Sequence, residues 1–256
     1  ALTLSGTLAS STGTSSLSCD ISLVDNSTID VSGTSLTLSG NISGSNKGLT
    51  KTGLGKLILA GTKSYSGSTS IDGGTLSIAT NSPSTSSTSI LGSGYLEIVP
   101  VGDDFDSNID LSGLSVSQSL SGLTIGKESS YDGTDDITIS IPAGLSINGS
   151  LALYAGEIVL NGDVVTQGNQ NYFGDVVLAA DSLITSNDNN VYFDSSVYSV
   201  AGQYYDLTVN SGTANITISG GVGQKTTSIG LSSEATSKAL TESTDADFSG
   251  DFVTAL

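Results

Sequence analysis

The sequence predicts an all-β protein built as a parallel β-solenoid, and three observations lead to that fold class. Ser, Thr and Gly dominate the chain, with 32 Gly and only 3 Pro among 256 residues. The apolar residues are mostly aliphatic, because aromatic residues make up only 5% of the chain. Short runs of alternating polar and apolar residues recur along it. Ser and Thr are poor helix formers, whereas thin layers of aliphatic side chains suit stacked strands.

The strand prediction rests on runs with a period of two residues that end at a turn residue. Residues 34–40 (TSLTLSG), 55–61 (GKLILAG) and 215–220 (NITISG) are three such runs, and each stops at a glycine. Successive side chains of a strand point to opposite faces, so each run forms a short strand with one apolar face.

Recurring phrases favour a solenoid over a two-sheet sandwich, which is the alternative for many short strands. The phrase LTLSG at residues 2–6 returns at residues 36–40. Quasi-repeats of this kind predict coils of about 20–25 residues, each laid on the one before. The core of such a stack needs no charged side chain.

Two regions are predicted: a β-solenoid over residues 1–230 and a C-terminal cap or tail over residues 231–256. Residues 233–240 (SEATSKAL) have a helix-like composition and begin with a serine suited to a helix N-cap. A short helix there would cover the strand edges that an open solenoid end leaves unpaired. A flexible tail is the alternative.

The charge balance excludes several classes of partner. The formal net charge is −18, with 7 Lys and Arg residues against 25 Asp and Glu residues. Nucleic acids and anionic membranes require a basic face, which this chain does not have. It contains no apolar run of about 20 residues, so no transmembrane segment is expected.

Residues 48–76 carry the most specific pattern of the chain, GLTKTGLGKLILAGTKSYSGSTSIDGGTL. Its opening Gly-Leu-Thr-Lys, its spaced glycines and its single tyrosine resemble the passenger-associated repeat of autotransporter proteins. The carrying positions are Gly48, Leu49, Thr50, Lys51, Gly53, Gly55, Leu57, Leu59, Gly61, Tyr65, Gly67, Thr69, Ile71, Gly74, Thr75 and Leu76.

A second pattern lies within residues 151–222, in the segments 162–166 (GDVVT), 170–174 (QNYFG), 177–181 (VLAAD), 191–193 (VYF) and 205–210 (YDLTVN). These segments resemble the strand repeats of filamentous-haemagglutinin-type surface adhesins. The two resemblances imply export across a bacterial envelope, an extracellular or cell-surface location and a right-handed parallel β-helix. They also imply a role as a rigid stalk or adhesin-type module.

The first functional hypothesis is therefore a non-enzymatic surface protein. An alternative is a subunit that stacks end to end into an extracellular filament or surface layer. A remote alternative is a β-helix polysaccharide-degrading enzyme, since residues 102–104 (GDD) match the paired-acid element of polygalacturonase-like hydrolases. The chain has no histidine and its basic residues are all lysine, so the other elements of such an active site are missing.

Two groups of residues are candidates for binding. Asp132, Asp135 and Asp136 form an acidic cluster in a loop, and calcium is the only cofactor that the sequence suggests, because calcium prefers several oxygen ligands. Tyr172, Tyr192 and Tyr204 belong to aromatic pairs that recur along the second half and are candidates for a glycan or partner face. The competing interpretation is that one member of each pair enters the core. The expected partners are host or neighbouring-cell surfaces, glycans, or further copies of the chain.

Overall fold

A computed structural model describes residues 1–80, 88–129, 131 and 137–224, together with the backbone of residues 241–242 and 247–248. These residues form thirty β-strands, and no helix occurs in the part of the chain that is described. The strand pairs are parallel throughout the described sheets. The prediction of a parallel β-solenoid is confirmed, with about 10 turns in total, and the sandwich alternative is wrong.

The strands are short and follow one another closely along the chain. The first seventeen are β1 (Leu2–Leu4), β2 (Thr7–Ser10), β3 (Thr14–Leu17), β4 (Ile21–Leu23), β5 (Ser27–Val31), β6 (Ser35–Leu38), β7 (Ile42–Gly44), β8 (Leu49–Thr52), β9 (Lys56–Leu59), β10 (Lys63–Tyr65), β11 (Thr69–Ile71), β12 (Thr75–Ala79), β13 (Thr88–Gly92), β14 (Tyr95–Val99), β15 (Ile109–Asp110), β16 (Leu114–Val116) and β17 (Gly122–Ile125). The others are β18 (Thr138–Ile141), β19 (Leu145–Ile147), β20 (Ser150–Leu160), β21 (Val164–Thr166), β22 (Gln170–Leu178), β23 (Ser182–Thr185), β24 (Val191–Phe193), β25 (Val197–Ser199), β26 (Leu207–Asn210), β27 (Asn215–Ile218), β28 (Val222–Gln224), β29 (Thr241–Glu242) and β30 (Asp247–Phe248).

Unit 1 is a compact body formed by Ala1–Asp106 and Gly113–Lys127. Its strands make three faces, in the orders β1-β4-β7-β10, β2-β5-β8-β11-β13-β16 and β3-β6-β9-β12-β14-β17. Each of the first four coils therefore adds one strand to each face, and β13, β14, β16 and β17 extend the second and third faces only. The third face directs a ladder of leucines inward from β6, β9, β12, β14 and β17, and all five are buried: Leu36, Leu57, Leu76, Leu96 and Leu123.

Unit 2 is formed by Ser107–Ser112 and Glu128–Leu256, and it is built in the same way. One face runs in the order β19-β21-β23-β26-β29. The long strands β20 and β22 pass round a corner and so contribute to two faces. The first part of β22 pairs with β24, and its last part pairs with β25. The pairing of β20 with β22 is interrupted between Tyr154 and Glu157, where the chain turns.

Asn and Asp side chains tie successive coils together at the corners. Asn169 Oδ1 accepts a hydrogen bond from the N–H of Asn190 at 3.0 Å, and Asn190 Oδ1 accepts one from the N–H of Asn215 at 3.1 Å. In unit 1, Asp20 Oδ1 accepts the N–H of Asn41 at 2.9 Å in the same manner. These bonds join residues that are 21 or 25 positions apart, which agrees with the predicted coil length. The side chain of one coil thus satisfies a backbone donor of the next.

The predicted boundary at residue 230 stays a prediction, because most of residues 231–256 lie outside the described part of the chain. That includes residues 233–240, where a helical cap was predicted. The two short strands described in this region, β29 and β30, pair in parallel with β26 and β27.

Candidate interaction surface

The segment predicted to be a passenger-type repeat spans β8 to β12 and includes more than one full coil. It therefore stacks on itself: Leu49 pairs with Thr69, and Lys56 pairs with Thr75. Leu57 and Leu59 point into the core, as the alternating pattern predicts. The repeat is thus long enough to contain two of its own strand pairs.

The spaced glycines of this segment stand at corners where successive backbones touch. A Cβ atom on Gly55 would lie 2.0 Å from the carbonyl oxygen of Gly33, one coil earlier. A Cβ on Gly61 would lie 2.1 Å from the carbonyl oxygen of Gly40. Gly74 continues the column formed by Gly33 and Gly55, since its Cβ would lie 2.5 Å from the Gly55 oxygen. The glycine spacing is therefore required by the close approach of the coils.

Lys51 is fully buried, although lysine side chains usually lie at the protein surface. Its Nζ donates hydrogen bonds to the carbonyl oxygens of Thr52 at 2.6 Å, Gly53 at 2.8 Å and Gly73 at 3.0 Å. Gly73 belongs to the next coil, so the ammonium group joins two coils from inside. Burial lowers the pKa of Lys51, and the carboxylate of Asp30 acts in the opposite direction. The sequence argument was only that the core needs no charged side chain, and the burial of Lys51 was not predicted.

These features coincide with a known family pattern. Residues 49–78 match the family model described as the passenger-associated-transport-repeat. The chain carries an autotransporter passenger-type repeat. No curated protein and no solved structure gives a significant match to the chain. The passenger repeat and the β-solenoid fold together indicate an exported, passenger-type module for the surface. Residues 151–222 lie outside the matched segment, so their resemblance to filamentous-haemagglutinin-type repeats stays a prediction.

Tyr172, the first of the predicted surface tyrosines, lies in the core and is completely buried. Its ring stacks on Phe193 of the next coil, with 5.0 Å between ring centroids. Its hydroxyl donates to Gln170 Oε1 at 2.6 Å, and the Gln170 amide donates to Thr166 and to the carbonyl of Thr185. Tyr172 cannot contact a ligand outside the fold, and the core interpretation of this pair is the right one.

Tyr192, the second predicted tyrosine, lies on the outside and belongs to a group of four rings. Tyr154 and Phe173 stand side by side on adjacent coils, nearly parallel, with centroids 4.5 Å apart. Tyr192 is tilted by 58° against Phe173 at 5.8 Å, and Tyr131 is tilted by 58° against the same ring at 6.0 Å. All four side chains are partly exposed. We call Tyr131, Tyr154, Phe173 and Tyr192 the outer aromatic cluster.

Asp194 lies beside the outer aromatic cluster, and a second carboxylate, Asp175, follows Phe173 by two residues along β22. Hydroxyl groups hold both carboxylates in place. Asp194 accepts hydrogen bonds from Tyr192 at 2.6 Å and from Tyr131 at 3.4 Å. Asp175, on the preceding coil, accepts them from Ser195 at 2.5 Å and from Tyr198 at 3.2 Å. Tyr192 and Asp194 are two residues apart in the sequence, whereas Tyr131 and Asp194 are 63 residues apart and meet only in the fold.

Tyr204, the third predicted tyrosine, is half exposed on the segment between β25 and β26. Asp132, Asp135 and Asp136, the predicted calcium ligands, lie outside the described residues, so calcium binding there stays a prediction. Within the described ranges, no group of three or more Asp, Glu, His or Cys side chains has an arrangement that could hold a metal ion. Nor does this part of the chain contain a helix long and apolar enough to span a membrane.

Proposed function

We propose that this chain is a non-enzymatic module of an exported surface protein and that unit 2 carries its binding face. The observation that supports this most strongly is the passenger repeat set within a continuous stack of parallel coils. The outward side chains of β5, β8 and β11 in unit 1 are Ser, Thr and Asp, whereas unit 2 exposes the outer aromatic cluster.

Exposed aromatic groups of this kind favour an adhesin role over that of an inert spacer. Tyr and Phe are enriched where proteins bind partners, because they supply a large contact area with few rotatable bonds. The absence of histidine from the sequence removes the Ser-His-Asp and Cys-His machinery of many hydrolases. The proposal therefore assigns this chain binding and display, with no catalytic step.

Labelling of intact cells tests this proposal. Antibodies raised against the purified chain should label unpermeabilised source cells, and protease treatment of those cells should remove the signal while a periplasmic marker stays protected. Fab fragments directed at unit 2 should reduce attachment of the cells to their target surface. A signal that appears only after permeabilisation would contradict surface display.

A second candidate is end-to-end stacking of subunits into a filament, since the end of a parallel solenoid can accept further parallel strands. Electron microscopy over a range of protein concentrations distinguishes the candidates: filaments that lengthen with concentration support stacking, and single particles at every concentration exclude it.

A further inference from the structure

We propose that the outer aromatic cluster and its two carboxylates bind a basic protein segment that presents arginine or lysine side chains. This inference rests on the proposed function as a surface module, and it identifies the chemistry of the partner. Three observations support it: the arrangement of the rings, the fixed carboxylates beside them, and the distribution of charge in unit 2.

The arrangement of the rings suits long cationic side chains better than sugars. Tyr154 and Phe173 are parallel to within 2°, so each covers a face of the other and little flat ring surface remains for a saccharide to stack on. Tyr192 and Tyr131 are tilted against Phe173, which leaves an angled apolar wall of ring edges and partial faces. The aliphatic stems of Arg and Lys can pack against ring edges of this kind while their charged ends stay in water.

Asp194 supplies a negative charge in contact with the rings, and Asp175 adds a second one two residues after Phe173. A carboxylate offers about four lone-pair positions. Asp194 uses one oxygen for Tyr192 and the other for Tyr131, so acceptor positions remain on both oxygens. Asp175 is held by Ser195, by the N–H of Ser196 and by Tyr198. Because hydroxyl groups already fix the two carboxylates, little side-chain entropy is lost when a cation binds.

Charge complementarity is the third observation. The sequence has no lysine or arginine between Glu128 and Gln224, while acidic residues recur throughout this stretch. The two ion pairs found among the described residues, Lys47–Asp25 and Lys56–Glu97, both belong to unit 1. Over residues 128–224 a basic partner therefore meets side chains that carry only negative charge, whereas an acidic glycan is repelled.

The test uses a fluorescently labelled peptide of alternating arginine and glycine, with an otherwise identical glutamate–glycine peptide as the opposite-charge control. Binding to the whole chain is measured by fluorescence anisotropy in about 150 mM salt, where exposed charges more than about 8 Å apart are largely screened. The informative variants are Asp194→Asn and Phe173→Leu. Asp163→Asn is the matched control: it removes one charge from the same unit, and its Oδ1 can still accept the N–H of Leu183.

The expected result is that the arginine peptide binds and the glutamate peptide does not. Asp194→Asn should weaken binding about tenfold, because a charge-assisted hydrogen bond is lost. Phe173→Leu should weaken it at least fivefold, and Asp163→Asn should change it less than twofold. Equal weakening by Asp163→Asn and Asp194→Asn would show diffuse attraction and overturn the proposal, as would failure of the peptide to bind. Surface labelling of intact cells does not depend on this result, so the two proposals can fail separately.

Discussion

Replacement of Gly55 by alanine tests whether close contact between coils is what requires the glycines of the passenger repeat. Gly55 does not have a positive φ, so alanine meets no conformational barrier there and the added methyl group is the whole perturbation. Its Cβ would lie 2.0 Å from the Gly33 carbonyl oxygen, whereas real Cβ contacts essentially never fall under 3.0 Å. The two coils must therefore separate by about 1 Å at this corner.

The size of the effect follows from the hydrogen bonds that flank this corner. The N–H of Gly55 donates to the Val31 carbonyl at 2.8 Å, and the N–H of Lys56 donates to the Thr34 carbonyl at 3.0 Å. A separation of about 1 Å breaks both bonds and leaves groups unsatisfied, at about 1–3 kcal/mol each. Alanine also lowers the conformational entropy of the unfolded chain, which offsets about 0.4–1 kcal/mol of this loss in stability. We expect a net loss of about 2–4 kcal/mol in the free energy of unfolding.

Urea unfolding followed by circular dichroism measures this loss. With a slope of about 2 kcal/mol per molar urea, the midpoint should fall by about 1–2 M. Gly102→Ala is the control, because Gly102 has no positive φ and its Cβ would meet nothing within 4 Å. Since a solenoid can unfold in parts, hydrogen exchange at the Gly55 and Lys56 amides should also accelerate. If Gly55→Ala and Gly102→Ala unfold at the same urea concentration, the steric reasoning is wrong.

Three further predictions concern the core and use the same urea assay. Lys51→Met should lower the free energy of unfolding by about 2–4 kcal/mol, because three carbonyl oxygens lose a charged donor. Lys47→Met at the surface should lower it by less than about 0.5 kcal/mol. Leu76→Ala should lower the free energy of unfolding by about 2–5 kcal/mol, because it leaves a cavity in the core. Leu54→Ala should have little effect, because Leu54 is exposed, and equal losses for the two variants would contradict the leucine ladder. Burial raises the pKa of Tyr172 above its ordinary value of 10, so only the unfolded chain loses that proton as the pH rises through about 10. Stability should therefore fall above about pH 10, and Tyr172→Phe should make that fall less steep; an unchanged slope would show that Tyr172 does not titrate in this way.

The strands, their parallel stacking and the coil length were predictable, because all three follow from period-two alternation and recurring phrases. Burial of one member of each aromatic pair was among the interpretations of the sequence, but which member is buried was not predicted, for a reason of register. The Tyr-Phe pairs at 172–173 and 192–193 are 20 residues apart, but the structure pairs Tyr172 with Phe193, 21 residues on. The offset of one residue turns opposite members of the two pairs inward. Matching the corner residues Asn169 and Asn190 would have shown this offset.

Neither the buried lysine nor the outer aromatic cluster could be predicted from the sequence, for different reasons. Lys51 occupies an inward position by alternation, but its hydrogen-bond partner in the next coil becomes visible only once the coils are stacked. Tyr131 and Asp194 are 63 residues apart in the chain, and no local pattern indicates that they meet. Alternation thus predicts the direction of a side chain, while contacts across several coils depend on the exact length of every turn between them.

The bonds from Asn side chains at the corners have a practical consequence for engineering. The same bond forms whether 21 residues separate its partners, as between Asn169 and Asn190, or 25, as between Asn190 and Asn215. The corner therefore fixes where the chain returns, and the intervening segment is free to vary in length. Foreign peptides inserted between β25 and β26, where Tyr204 already projects, should be carried as surface-exposed epitopes without disturbing the neighbouring coils.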